Sequence, residues 1–196
     1  MGQKLIKQIS IVSLFTLITI LIFNFPSVTI KRIGNVKFTN SFDKTVNTCF
    51  PAAYTNNDGT IQGEYRLNGV TYGTPVRKEK ISIHPTKGLV ISGQWCSDNG
   101  FQQTVLVKHY KPRTFSDSHR RIRRALCNEG KDSNSFIIVQ STYPMTLTEF
   151  AKEVSKYSYN AVNLDTGTFG YGWNGKHKYS IWAWFNKHKQ TSWIIC

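Results

Sequence analysis

The chain has 196 residues, with 25 Lys or Arg against 11 Asp or Glu and a formal net charge of +14. That length supports one domain with a real core and excludes two comfortable ones. The positive excess points to anionic partners, whether phosphate-bearing glycans, lipid headgroups or nucleic acid, and the four cysteines lack the CxxC or Cys/His spacing of a zinc site. No metal and no cofactor is expected.

Residues 9–25 are apolar or hydroxyl-bearing apart from Asn24, carry no charge and follow Lys4 and Lys7. Roughly 17 to 22 such positions suffice to span a hydrocarbon core. No small-x-small pair suits a signal peptidase after the run and no cysteine is placed for lipidation, so an uncleaved anchor is favoured over a removed signal. Lys31 and Arg32 follow the run, which makes the positive-inside bias weak but leaves the short N-terminus cytoplasmic. The expected protein is therefore single-pass, with its C-terminal domain outside the cytoplasm, where Cys49, Cys96, Cys127 and Cys196 could form two disulfides in any of three pairings. The expected divisions are an anchor at 1–30, a connector at 31–45 and a domain at 46–196. The first 30 positions hold two lysines and no acid, which leaves +12 on the rest.

The domain reads as β-rich. Strand-like runs at 81–83, 89–92 and 104–107 are separated by Asn-Gly, Lys-Gly and Asp-Asn-Gly turn signals, which predict hairpins. A polar stretch at 111–124 contains His119, Arg120, Arg121, Arg123 and Arg124. It fits a solvated basic face near an anionic membrane, a phosphate-substrate role or a nucleic-acid clamp, the last disfavoured by the membrane segment.

Residues 136–140 form a β-branched apolar run with the character of a strand buried on both faces. Thr146 and Glu149 have the spacing of a capping box. Leu147, Phe150, Ala151, Val154 and Tyr157 then recur on one helical face, and 159–164 reads as a second strand. Together 136–165 predicts a right-handed β-α-β unit. The expected class is α+β: a mixed, β-rich sheet domain with a C-terminal β-α-β unit, preceded by one N-terminal transmembrane helix.

Asp165 stands at the carboxyl end of that second strand, before Gly167, Gly170 and Gly172. Ligands collect beyond such strand ends in open α/β sheets, so the carboxylate could hold a sugar hydroxyl or accept a proton. A turn-forming Asp bonded to its own loop is the plain alternative. Phe169, Tyr171 and Trp173 follow, rings on which sugar faces could stack, whereas Tyr179, Trp182, Trp184 and Trp193 read more as core.

Two segments carry a resemblance: Ser141-Thr142-Tyr143-Pro144-Met145-Thr146-Leu147-Thr148-Glu149-Phe150-Ala151, and Asn160-Ala161-Val162-Asn163-Leu164-Asp165-Thr166-Gly167. They resemble the C-terminal signature of the phosphodiester glycosidase family, with its Leu-x-Glu-Leu-Ala-like helix start and its Ala-x-Asn-Leu-Asp-Gly-Gly. Upstream, Val46-Asn47-Thr48-Cys49-Phe50 resembles the family's Asn-Gly-x-Phe-Phe, Arg123-Arg124-Ala125-Leu126 its Arg-Thr-Ala-Ile, and Trp193-Ile194-Ile195 its closing strand. Thr166 and Thr48 depart from the pattern, since each stands where glycine is usual.

The resemblance implies hydrolysis of a sugar-1-phosphodiester, typically of N-acetylglucosamine, on a phosphorylated glycan. It implies Asp165 and Arg123 as catalytic residues. Asn47, Arg124, Asn163, Thr166, Gly167, Glu64, Tyr171 and Trp173 are the implied substrate contacts. Glu64 is the candidate second carboxylate, because glycosidases commonly use two; Glu129 reads as turn chemistry. The alternative is an inactive phosphoglycan-binding module of the same fold. The expected partners are the phosphorylated glycan and a membrane, with no nucleic acid.

Overall fold

The computed structural model describes residues 26–40, 49–56, 58–166, 172–173, 177–178 and 192–195, with backbone alone at 49, 172–173 and 177–178. A six-stranded sheet forms the centre. In spatial order it holds β1 (Val28–Ile33), β12 (Phe136–Ser141), β11 (Arg124–Asn128), β13 (Asn160–Leu164), β9 (Val105–Lys108) and β10 (Lys111–Pro112). Every pairing in it is antiparallel.

One face of this sheet carries α1 (Leu147–Val154), which begins with the expected capping box: Thr146 accepts from the Glu149 amide, and the Glu149 carboxylate accepts from Thr146 N at 2.9 Å. Leu147, Phe150, Ala151 and Val154 are buried against Leu106, Ala125, Cys127, Ile137, Val139 and Ala161. Tyr157, expected on the same apolar face, is 40% exposed, because the helix ends before it.

The other face packs on two five-stranded antiparallel sheets. The first runs β15 (His177–Lys178), β14 (Gly172–Trp173), β3 (Cys49–Pro51), β16 (Trp193–Ile195) and β2 (Lys37–Thr39). The second runs β5 (Val70–Tyr72), β4 (Tyr65–Leu67), β8 (Gly100–Phe101), β6 (Lys80–His84) and β7 (Gly88–Ser92). Phe38, Phe50, Ile81, Leu89, Phe101, Leu126, Ile138, Leu164 and Ile194 meet in the core between them. The β6–β7 hairpin turns at Gly88, whose φ of +67° and whose approach to Ser133 O exclude a side chain.

The α+β expectation with a β-α-β unit is corrected: the molecule is mostly β, three antiparallel sheets with one helix among the described residues. The strands β12 and β13 do run parallel, but β11 lies between them and is antiparallel to both. The continuous apolar run of β12 reports burial on two faces, Ile137 and Val139 toward the helix, Phe136 and Ile138 toward the sheets. A layered antiparallel sheet produces that pattern as well as a parallel one does.

The N-terminal expectation is corrected too. Among the described residues no helix is long and apolar enough to cross a membrane, so the single-pass placement loses its support; the apolar run 9–25 itself lies outside the described residues. Residues 28–39, read as the end of an anchor and a connector, supply two strands, β1 paired along six positions with β12 and β2 paired with β16. The two-disulfide expectation also changes, since Cys96 and Cys127 are free thiols. Burial pushes the Cys127 thiol well above its ordinary pKa.

Candidate functional site

The antiparallel insertion of β11 builds the site. Arg124 is the first residue of β11 and pairs with Leu164, the last of β13, so Arg124 arrives at the sheet end where Asp165 emerges. Asp165 is 6% exposed, and its amide donates to Ala52 O at 3.1 Å, just past β3. Arg124 is half-buried. Its Nε and Nη2 donate to Gln140 Oε1 at 3.0 and 2.9 Å, and the guanidinium lies 4.9 Å from the centre of the Phe50 ring. Burial lowers its pKa to about 10 while the Asp165 charge pulls it upward. Its Nη1 is buried without a hydrogen-bond partner.

Asn163, 1% exposed, donates from Nδ2 to the Tyr54 hydroxyl at 3.0 Å and to Leu164 O at 3.0 Å. Its Oδ1 is buried with no partner. Burial and then the Asp165 charge raise the pKa of Tyr54, against Arg123, Arg77 and a hydrogen bond with Thr104, so the hydroxyl keeps its proton at neutral pH. Buried polar groups are paired as a rule, and each exception needs a reason. Here an unpaired donor and an unpaired acceptor occupy adjoining register positions at one sheet end. Thr55 Oγ1, next in the chain to Tyr54, is the third such atom among the described residues.

Tyr54 is the residue the sequence did not reveal. It follows Ala52 and Ala53 with no motif around it, and only the packing of residues 52–54 over the end of β13 brings it to Asn163.

The other expected residues divide. Arg123 is 4% exposed and anchored: its Nε donates to Met145 O at 3.1 Å, its Nη2 to His119 O at 2.7 Å and to Asp117 at 3.2 Å. It ties residues 117–119 to the approach of α1, although its charge still reaches Tyr54. Arg120 goes elsewhere, to Pro144 O and Glu149, so the basic run disperses into separate contacts. The Thr166 hydroxyl donates to Ile122 O at 2.9 Å. Glu64 is buried and receives Lys80 Nζ and Trp95 Nε1, each at 2.6 Å. Burial opposes its ionisation, but those two bonds and the Lys80 charge hold its pKa below the ordinary value.

Asn47, Gly167, Phe169 and Tyr171 lie outside the described residues, and Trp173 is described only as a strand position opposite Cys49. Among the described residues no three His, Cys, Asp or Glu side chains gather as a metal would require.

The structure is similar to that of a zebrafish N-acetylglucosamine-1-phosphodiester alpha-N-acetylglucosaminidase catalytic domain auto-inhibited by its pro-peptide. The TM-score is 0.59 at 16% identity, covering 87% of this chain and 72% of the other. A hypothetical protein from Synechocystis aligns with TM-score 0.56 at 10% identity, over 87% of this chain and 56% of that one. No protein-family model matches the sequence, and no curated protein matches it. At these identities the likeness is one of fold.

Proposed function

We propose that this chain hydrolyses a sugar-1-phosphodiester, releasing the sugar from a phosphate that stays on its carrier. The observation that supports this reading is the polar cluster at the end of β13, where the Asp165 charge acts on both Arg124 and Tyr54, Tyr54 accepts from Asn163, and Arg124 Nη1 and Asn163 Oδ1 stay unpaired, in a fold similar to that of a glycosidase catalytic domain. In the proposed reaction water attacks the anomeric carbon, the bond from that carbon to the phosphate oxygen breaks, and the water proton passes to Asp165. The departing phosphate is already anionic, so it needs charge stabilisation more than a strong acid. Arg124 supplies this from Nη1, and Asn163 Oδ1 accepts from a sugar hydroxyl. Tyr54, protonated, orients Asp165.

Thr166 favours a second reading, binding without turnover. Its hydroxyl is spent on Ile122 O, and it puts a β-branched side chain where the resembled family has glycine. One substitution separates the two. The Asp165→Asn variant should release free sugar from a panel of sugar-1-phosphodiesters on the order of a thousandfold more slowly than the parent, with its thermal midpoint retained. A parent that binds the panel and releases nothing supports the module; an Asn variant as fast as the parent removes Asp165 from the chemistry.

A further inference from the structure

A cavity of about 520 Å³ lies beside the candidate site, walled by Arg77, Lys78, Gln103, Thr104, Arg113 and Phe115, with Glu79. Its size falls within the range of small-ligand pockets. Its charge is lopsided. Glu79 is the single carboxylate, and it is already used twice: Arg113 meets both its oxygens at 2.7 Å, and Lys108 donates to it at 3.3 Å. Arg77, Lys78 and Arg113 line the cavity against this one carboxylate, which Lys108 also reaches. Among the described residues Arg77 and Lys78 have no carboxylate partner at all. The Phe115 wall is fixed in place, its amide donating to Thr148 Oγ1 at 2.9 Å while its carbonyl accepts from the same hydroxyl at 3.1 Å.

Two contacts join the cavity to the candidate site. Ala52 O accepts from the Asp165 amide at 3.1 Å and from Gln103 Nε2 at 3.5 Å, so a cavity wall and the carboxylate's backbone share one carbonyl. Thr104 lines the cavity, and its carbonyl accepts from Asn163 N at 2.8 Å.

We infer that this cavity is an anion subsite for a phosphate carried beyond the scissile phosphodiester, with Arg77 and Lys78 as its free cations and the Arg113–Glu79 pair as its fixed rim. For its substrate the inference rests on the hydrolase reading; for its binding it does not. A guanidinium without a carboxylate offers the planar donor pair that fits phosphate oxygens, and Lys78 adds a mobile charge. The preferred substrates then have a carrier with a second phosphate on the side away from the sugar.

The test uses the full chain labelled for amide NMR and titrated with inorganic phosphate, with chloride at equal ionic strength as the control. Phosphate should move the amides of Arg77, Lys78 and Thr104 where chloride does not, and R77Q/K78Q should weaken that binding about tenfold. In kinetics K78Q should raise KM for a diphosphorylated carrier severalfold, with kcat and the KM of the singly phosphorylated analogue unchanged, and R77Q/K78Q should raise the ratio of the two KM values about tenfold. K78Q alone, at an exposed position, gives a smaller shift in the same direction and guards against misfolding of the double variant. Equal shifts with chloride, or phosphate binding that survives R77Q/K78Q, overturn the subsite. Phosphate binding at these residues without sugar release from any substrate leaves the subsite standing and overturns the hydrolase reading.

Discussion

Each end of the β11–β13 pairing carries polar side chains with buried atoms, yet the two are finished differently. At one end Asn128 faces Asn160. Asn128 Oδ1 accepts from Asn160 N at 3.2 Å and its Nδ2 donates to Gly130 O; Asn160 Nδ2 donates to Leu89 O at 2.8 Å and its Oδ1 accepts from His109 N at 3.1 Å. Both amide side chains are satisfied on both atoms. At the other end Arg124 and Asn163 each keep a buried atom without a partner. Saturation fixes a structure, whereas buried polar groups with valences to spare raise its free energy unless something else completes them.

The largest effect that can break this contrast falls on Arg124. The Arg124→Met variant keeps the packing on Phe50 and removes the charge. Sugar release should drop about a hundredfold, while the thermal midpoint stays level or rises, because a desolvated cation with an unpaired donor is gone. A midpoint lowered by several degrees with hydrolysis intact would make Arg124 a structural residue like Arg123.

Next comes a pair of identical substitutions at the two ends. Asn160→Ala leaves Leu89 O buried and unpaired and takes away the partner of His109 N, and should cost about 2 kcal/mol in urea unfolding. Asn163→Ala loses the two Nδ2 bonds, to the Tyr54 hydroxyl and Leu164 O, but also removes a buried oxygen that has no partner, so it should cost less than Asn160→Ala, about 1 kcal/mol, and should weaken saccharide binding. Equal costs at both ends would erase the distinction between them.

The smallest effect concerns Glu64, whose Oε1 takes both Lys80 and Trp95. Its folded pKa lies below the ordinary 4.5, so its stabilisation is fully present above about pH 4.5 and is lost as pH falls through the lowered value. Glu64→Gln should therefore flatten the acid side of the urea midpoint against pH and leave sugar-release kinetics unchanged. A large fall in kcat instead would return Glu64 to the reaction as a second carboxylate.

Much of the local structure was legible. The capping box of Thr146 and Glu149, the buried helical face of Leu147, Phe150 and Val154, the β6–β7 hairpin and the strands β12 and β13 follow from short-range pattern. The order of strands did not. β11 begins at the end of a polar, arginine-rich stretch and stands out only through the resemblance carried by Arg123 to Leu126, which says nothing of its place between β12 and β13. Asp165 and Asn163 were visible through their resemblance to a known signature, Arg124 only as a substrate contact behind Arg123, and Tyr54 not at all.

What the sequence determined by itself is the set of elements whose signals lie within one or two turns of chain: caps, hairpin turns, apolar faces, and a lone acid at a strand end. Tertiary structure alone decided which of two neighbouring arginines stands over Phe50 within reach of the Asp165 charge, and that a tyrosine more than a hundred residues away completes the cluster. The physical reason is that side chains alternate with period two along a strand. The face each arginine takes is settled by pairing across the sheet, and those partners are distant in sequence.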